Sequence, residues 1–581
     1  MAEVQNAEQA HALAASLITP RTVQLEKLEH YTKGTQYEGR EDFLTPSKDV
    51  PLLERAPCIV YPAVESAIRQ HVDMALGDGR FPKLTTGIGE DEEDDLFGLS
   101  EDDSETLDTF IANLSEHARF VEVCQDALEA AEGISSACCV YSFDGFGTLR
   151  AEHVETCHAK PTFDASGALT RLEIKYPYVE LDTVEPGRVR ARCMFYRRVI
   201  DAESDTVFKP AEVKRKGVEP TSSPDAERSA AHGLGFVPCV WYAFKRRKKG
   251  VPDGCAVHET LLDELDALNF SLSQRYRAAL YSGDPQMVET GVGEGEQVAP
   301  SGSQPRAGLK ELRDGDRTLV GFGYSERPRS ARRKGAGVVW RYENPDAKVA
   351  MLTLPGDALQ AITDQCDDLL DKIEGVLGYT GTSPEQVKGA LSGKALGFLY
   401  QRTTSFVDRV RSDFWHGFML PSLSVMLRMA LTAHNASPGS VYISGITKAA
   451  PILERFNREV ADTGKRWFTP RIKPVWGRYF EQSAEDEKAA VETAAMAFEK
   501  GLMTRTLAIE KLRGVFVFQS AAEIAEELDE ADEKAAADAL ALAQSSAPKP
   551  GEDDDKSGSK PKPGKPAVDD GDDAEAVREL R

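Results

Sequence analysis

The sequence lacks an apolar run long enough to span a membrane, a CxxC pair, and a basic N-terminal start followed by an apolar stretch. A spanning helix needs about 18 consecutive apolar residues, and a secretory signal needs a basic start before its apolar run. These absences predict a chain without a membrane span or a signal peptide. The nine cysteines are scattered and odd in number, which predicts reduced thiols in a cytoplasmic setting and no zinc site.

Motifs that carry catalysis are also missing. The sequence has no GxSxG, no HExxH, and no GxGxxG between a predicted strand and helix. The nearest match to a phosphate-binding loop, Gly389–Ala395, has three residues between its glycines instead of four, and it ends in alanine where magnesium needs a hydroxyl. We therefore predict that the chain is not an enzyme and uses no cofactor.

Histidines and clustered acids have plain structural interpretations. His71 and His416 fall within amphipathic helical patterns, which predicts packed or surface histidines rather than catalytic bases. Four aspartates at helical spacing predict a solvated helix face rather than a metal site: Asp364, Asp367, Asp368 and Asp371.

Basic residues are scarce relative to acidic ones. The sequence has 95 Asp and Glu against 70 Lys and Arg, a formal net charge of −25. Affinity for duplex DNA comes mainly from basic side chains that displace counterions, so this balance argues against a sequence-specific DNA reader. The acids are densest at Glu90–Asp95 and Glu101–Asp103, without the alternating ligands and turn glycine of a calcium loop. We expect residues 90–103 to form a solvated, mobile surface loop.

The apolar pattern predicts an α+β fold in the first half of the chain. Helical spacing covers 61–76, ending at Gly77, and about Ser104–Gly133. The period then changes to two, which predicts strands at Ala137–Phe143, Leu169–Tyr178 and Val189–Val199. Turns are expected at 144–147 and 164–167. The adjacent Cys138 and Cys139 should occupy opposite faces of a strand as small buried residues.

The second half is predicted to be mostly helical. Two helices, about Cys255–Tyr281 and Gly356–Leu377, bracket a β-rich insertion. A glycine-rich loop at 378–393 leads into a long helix, Lys394 to about Ala433. A kink or break is expected near 418–420, because Pro421 lacks an N–H and its ring clashes with the preceding turn. We expect residues 483–542 to form acidic helix broken at glycines 501 and 514, and the tail from 543 has the composition of a disordered segment.

A resemblance to a known family rests on four short stretches and on their order along the chain: Leu28–Tyr37, Leu262–Ser273, Ser392–Leu396 and Phe498–Gly514. Together with the order of elements, they resemble the portal proteins of tailed bacteriophages, in particular the family of long-tailed phages. The stretches match that family's N-terminal tyrosine–glycine segment, its helix before the insertion, its Ser-Gly-x-Ala-Leu step and its C-terminal Gly-Leu…Ser/Thr…Leu pattern. The resemblance covers about Leu25–Leu542. The acidic block and the tail depart from the family pattern.

The resemblance implies an elongated α+β subunit in a ring of twelve at one capsid vertex, around a central DNA channel. The implied regions are a wing (1–250), a first stem helix (251–281), a clip (282–345), a second stem helix (346–377), a tunnel loop (378–393), a long kinked helix (394–433), a wing return segment (434–482), a helical crown (483–542) and a disordered acidic tail (543–581).

The resemblance also implies partners and a location. The partners would be other copies of the chain, the terminase large subunit, the major capsid and scaffolding proteins, a head-completion or adaptor protein, and double-stranded DNA passing through without sequence-specific binding. The protein would reside in the virion at the portal vertex, and in the host cytoplasm during assembly.

Three groups of functional residues follow from the resemblance. The DNA-facing group is Thr380, Gly381, Gln386, Lys388, Gly389, Ser392, Gly393 and Lys394. The family motif is Ser392, Gly393, Ala395 and Leu396. The partner-binding group in the clip is Arg327, Arg329, Arg332, Arg333 and Trp340.

The scarcity of basic residues is compatible with a channel through which DNA slides. DNA that must slide should meet few basic contacts, because each adds affinity and therefore drag. Lys388 is the only basic residue within 378–393. We expect it to approach DNA, and normal packaging by a Lys388→Glu variant would contradict this. The five consecutive basic residues Lys245–Lys249 are interpreted as a solvated strand end. Whether they contact DNA, capsid or solvent stays open.

Two other interpretations stay open. One is a nucleotide-driven enzyme of the same packaging system, which would need a phosphate-binding loop or a carboxylate cluster for two metals. The other is a structural or scaffolding virion protein that forms no ring, which the long acidic helices permit and the β-rich insertion disfavours.

Overall fold

In the computed structural model of this chain, the described residues are 3–5, 7–44, 50–86, 100–144, 146–185, 188–245, 251–283, 286–290, 312–314, 317–319, 348–352, 356–381, 393–439, 442–462, 472–480, 484–512, 524, 528 and 534. The chain divides into two compact units, Met1–Glu481 and Gln482–Arg581. It is 51% helical and 19% strand, which confirms the mixed α+β class.

The first elements are β1 (Glu3–Gln5), α1 (Ala7–Ala15), α2 (Pro20–Lys33), α3 (Ala63–Leu76) and β2 (Lys83–Thr85). Helix α2 begins after Thr19, whose side chain accepts a hydrogen bond from the N–H of Thr22. Helix α3 confirms the pattern at 61–76, and its apolar face is buried. Gly77 follows the end of α3 as predicted, and the position requires glycine, because a Cβ there would lie 2.3 Å from the carbonyl oxygen of Asp73.

The single helix predicted at about Ser104–Gly133 is wrong. Two helices occupy this stretch, α4 (Glu101–His117) and α5 (Phe120–Ile134). They are separated at Arg119, which adopts a left-handed φ of 51°. This conformation cannot continue the hydrogen-bond ladder of a right-handed helix.

Part of the predicted acidic loop is also helical. The Ser100 side chain accepts a hydrogen bond from the N–H of Asp103, and α4 begins at Glu101. Acids 101–103 therefore lie in the first turn of α4, where the helix dipole stabilises negative charge. Residues 87–99 lie outside the described residues.

The strands that follow are β3 (Ser136–Phe143), β4 (Leu149–Val154), β5 (Ala159–Phe163), β6 (Leu169–Glu185), β7 (Arg188–Ile200), β8 (Ser204–Val207), β9 (Ala211–Glu212), β10 (Ala230–Ala231) and β11 (Cys239–Ala243). One seven-stranded sheet has the order β10-β8-β7-β6-β5, with β1 and β9 also paired to β7. A second sheet has the order β11-β3-β4. The predicted strands and turns are confirmed: Asp144 and Asp164 each accept backbone N–H groups two and four residues further on.

The two faces of β3 belong to different parts of the core. Cys138 packs between the two sheets in a cluster with Ile200 and Trp241. Cys139 belongs to the larger helical core, which also contains Cys124 of α5. Both thiols are buried on opposite faces, as predicted, and none of the nine cysteines forms a disulfide.

Two helices bracket the β-rich insertion, α6 (Leu262–Gly283) and α7 (Gly356–Leu377). Helix α7 has the bounds that the sequence predicted, but α6 begins at Leu262 instead of near Cys255. Backbone N–H groups within 254–257 donate to the distant carbonyls of Glu132, Ser135 and Phe244. These bonds hold the preceding segment in an irregular path against α5 and β11, so the helix starts only after it.

The described residues of the insertion are strands, as predicted. β12 (Gln286–Thr290) pairs antiparallel with β15 (Lys348–Leu352), and β13 (Leu312–Asp314) with β14 (Arg317–Leu319). β15 thus lies in the segment 346–377 that the resemblance assigns to the second stem helix, and the clip boundary at residue 345 stays a prediction.

The prediction of one long helix over 394–433 is wrong, because the structure divides this stretch into several helices. The structure has α8 (Gly393–Leu399), α9 (Gln401–Phe414), a π-helical turn (Trp415–Met419) and α10 (Leu420–Ala436). The break predicted near 418–420 is confirmed, since the N–H of Leu420 donates to the Trp415 carbonyl, one residue further back than in an α-helix. Pro421 offers no N–H to the Gly417 carbonyl, and the ladder loosens at this point.

The predicted wing return segment contains α11 (Ile446–Asp462), a helix the sequence prediction missed, and β16 (Lys473–Val475), which pairs with β2. In the second unit, α12 (Ala484–Glu499) and α13 (Arg505–Leu512) are separated at Gly501, as predicted. Gly514 and the tail 543–581 lie outside the described residues. Among the described helices, none has both the length and the apolar character to cross a membrane.

Candidate functional site

The predicted tunnel loop starts where α7 ends. Ile373 and Leu377 are buried and fix the end of α7 in the core. Gly378 then adopts a left-handed φ of 71°, and a Cβ on it would lie 2.9 Å from Cγ of Phe406 in α9. Both the backbone conformation and the space therefore require glycine, and the loop leaves α7 at a fixed point against α9.

Thr380 and Gly381 continue this loop root, which we define as 378–381. The N–H of Thr380 donates to Oε1 of Gln70 in α3 at 3.4 Å, and its Oγ1 lies 2.9 Å from Oγ1 of Thr403 in α9. The N–H of Gly381 donates to the carboxylate of Glu374 in α7. Three helices thus hold the loop root, and contact of Thr380 and Gly381 with DNA stays a prediction.

The Glu374 carboxylate lies directly against the loop root. A Cβ on Gly381 would come within 2.4 Å of Oε1 of Glu374. Burial raises the pKa of Glu374, and the hydrogen bond from Gly381 opposes that rise. Arg402 of α9 also favours the ionised carboxylate. The loop root is therefore electrostatically tied to α7 and α9.

The far side of the loop enters α8. Gly393, Lys394 and Ala395 form the first turn of this helix, and Leu396 is half-buried. Phe398 is 78% exposed. An aromatic side chain this open on a helix is more stable when another surface covers it.

The helices behind the loop root contain a buried pair of titratable groups. Nδ1 of His71 lies 2.8 Å from Oε2 of Glu132, and both side chains are fully buried. The His71 ring also packs on Phe406, with 4.4 Å between centroids. Lys245 places its amine 4.9 Å from the same phenylalanine ring, and burial lowers its pKa. His71 is a packed histidine, as predicted, while His416 is exposed.

Arg411 connects α3, α9 and the segment after β16, a role that the sequence analysis did not predict. Its guanidinium donates to the carbonyls of Met74 and Ala75 at the end of α3, and to Gly477. Its side chain is 6% exposed and lies over the rings of Trp476 and Tyr479. It satisfies carbonyls that a helix end leaves unpaired and joins α3 and α9 to the segment after β16. It also forms one wall of an open groove of about 560 Å³.

A sequence signal for Arg411 does exist. The apolar stripe of α9 includes Val407, Val410 and Phe414, and Arg411 occupies the same face. A cation on a buried stripe needs partners. The sequence does not reveal that these partners come from the end of α3, because that contact spans more than 330 positions.

The four predicted aspartates of α7 are exposed, in agreement with a solvated face. The remaining predicted site residues lie outside the described residues and stay predictions: Gln386, Lys388, Gly389 and Ser392 of the tunnel loop, and Arg327, Arg329, Arg332, Arg333 and Trp340 of the clip.

Comparison of the whole chain with known proteins gives no match, either to a protein-family model or to a curated protein.

Proposed function

We propose that this chain is the subunit of a portal ring of a tailed bacteriophage. The ring would occupy one capsid vertex and form the channel for DNA packaging and ejection. It would also be the docking site for the terminase and for head-completion proteins.

One observation carries the proposal. Helices α6 and α7 contact each other, and the strands that leave them pair from Gln286 with Leu352 to Thr290 with Lys348. The segment 291–347 therefore begins and ends at this pair of strands, next to the ends of the two helices in the sequence. A portal subunit needs this arrangement, since its stem must carry the clip that meets the terminase.

The loop that follows α7 supports the same function. Its root is fixed by glycine geometry and by contacts to α3, α7 and α9. A loop that touches moving DNA must be anchored at its base, because force on its tip would otherwise be lost in motion of the base. Helices α3, α7 and α9 provide that base.

Uncovered apolar side chains favour a ring over a monomer. Tyr276 and Leu280 of α6, Val376 of α7 and Phe398 of α8 are all exposed, and they lie on the elements that the portal assignment places in the stem and beside the loop. Exposed apolar side chains are more stable when another surface covers them. A neighbouring copy in a closed ring would cover them.

The net charge is also compatible with a passage for DNA. Twelve copies at −25 each would carry about −300 before counterions. A channel of this kind repels phosphate and keeps DNA mobile, whereas a DNA receptor would need a basic surface.

Electron microscopy of the purified full-length protein tests the proposal. Closed rings with a central hole support it. Monomers at high concentration that hydrolyse ATP would contradict it and favour a packaging enzyme.

A further inference from the structure

The turn between β4 and β5 gathers three different metal-ligating side chains. One ligand atom from each of Glu155, Cys157 and His158 lies within 4.8 Å of the other two. None of these residues belongs to the candidate loop. The sequence analysis predicts no zinc site, because the cysteines are scattered and form no CxxC pair.

The spacing of the cluster suits a tetrahedral ion. Nε2 of His158 lies 3.4 Å from Oε2 of Glu155. Two ligand atoms each about 2.0–2.2 Å from a tetrahedral zinc ion are about 3.4 Å apart, so this pair already has the required separation. The Glu155 side chain is 71% exposed and can adjust toward the Cys157 sulfur at little cost.

The backbone of the turn is held independently of these side chains. Arg21 donates to the carbonyl oxygens of Thr156 and Ala159, both at 2.9 Å, and forms a bidentate pair with Asp253 at 2.6 and 2.7 Å. Thr22 donates to the carbonyl of Cys157. A turn fixed in this way presents its side chains without needing a ligand to order it.

The surroundings of the cluster also tolerate a cation. Two basic side chains near Cys157 are already paired, Lys33 with Glu29 and Arg21 with Asp253. The His158 ring packs on Tyr176, with 4.9 Å between centroids, and this contact limits its rotation. An ion here would meet a preset imidazole instead of an uncompensated positive charge.

We propose that Glu155, Cys157 and His158 bind a divalent cation of the zinc class, with a fourth position left to water. A thiolate, an imidazole and a carboxylate match zinc, whereas calcium and magnesium take oxygen ligands only.

The test is titration of the reduced, metal-free full-length protein with cobalt(II), which adopts the coordination of zinc and reports thiolate ligation by a charge-transfer band in the near ultraviolet. We expect one cobalt per chain, a tetrahedral visible spectrum, and displacement by zinc. Cys157→Ser should abolish the charge-transfer band, and His158→Gln should weaken binding by about tenfold or more.

Matched controls are Cys58→Ser and Cys255→Ser, which change half-buried thiols outside the cluster and should leave the band unchanged. Absence of the band in the unmodified protein would overturn the proposal, as would a band that persists in Cys157→Ser. If Cys157→Ser does not fold, His158→Gln decides, and unchanged cobalt affinity in that variant would overturn the proposal.

Discussion

Gly378 lies against the ring of Phe406 so closely that a Cβ would come within 2.9 Å of the ring carbon Cγ. The glycine also has a φ of 71°. This relationship joins the end of α7 to α9 and sets the point from which the candidate loop departs.

Substitution Gly378→Ala should lower the free energy of unfolding by about 2–3 kcal/mol, because it combines a strained φ with overpacking against a buried aromatic ring. Urea denaturation measures the change. Gly439→Ala is the control, since Gly439 has a φ of 92° and a Cβ added to it would meet no atom within 4 Å. It should cost only about 1 kcal/mol. Equal losses in the two variants would refute the packing argument.

Substitution Arg411→Met should destabilise the first unit by about 3 kcal/mol. The change leaves the carbonyls of Met74, Ala75 and Gly477 buried without their donor. Arg409→Met is the matched control on the exposed face of the same helix and should change stability by less than about 0.5 kcal/mol. Similar denaturant midpoints for both variants would show that the hydrogen bonds of Arg411 do not stabilise the fold.

His258 should make stability depend on pH. Burial lowers its pKa from 6.5 to about 4, partly opposed by the hydrogen bond from its Nε2 to the Leu28 carbonyl. Between these two pH values the unfolded chain binds a proton that the folded chain does not bind, so the free energy of unfolding falls as pH falls.

In His258→Asn, the loss of stability between pH 7 and pH 4.5 should be smaller than in the unmodified protein by about 2 kcal/mol. Denaturation at several pH values measures the slope, and His416→Asn, at an exposed histidine, is the control. A slope that His258→Asn leaves unchanged would contradict the assignment.

Phe398 should contribute to assembly and not to the fold of one chain. Because its side chain is 78% exposed, Phe398→Ser should leave the unfolding of a single chain nearly unchanged but weaken association, as burial of an aromatic ring is worth about 2 kcal/mol for each interface. Phe146→Ser, at a turn residue that is 82% exposed, is the control. Sedimentation over a range of concentrations compares them. Identical assembly of the two variants would place Phe398 outside the subunit interface.

Local patterns predicted the elements whose determinants lie within a few residues. The apolar spacing of α7 and the glycine that follows it define that helix, and the alternation at Cys138 and Cys139 places the two thiols on opposite faces of β3. Pro421 predicts the π-helical turn before it, because its missing N–H affects only hydrogen bonds a few residues away.

The wrong or missing predictions concern elements whose determinants lie far away in the sequence or leave no local pattern. Helix α6 starts late because carbonyls more than 10 residues away bind the backbone before it. The break at Arg119 places a non-glycine residue in a left-handed conformation, for which the sequence carries no signal. Helix α11 contains Pro451, which sequence rules treat as a helix breaker. The supports of the loop root come from α3 and α9, so only the folded chain brings them to Thr380.

The central claim is that copies of this chain close into a ring around a channel, and electron microscopy of the purified full-length protein measures this most directly. The account predicts closed rings of about twelve subunits with a central hole, formed without ATP hydrolysis. Particles that stay monomeric at high concentration and hydrolyse ATP would contradict it.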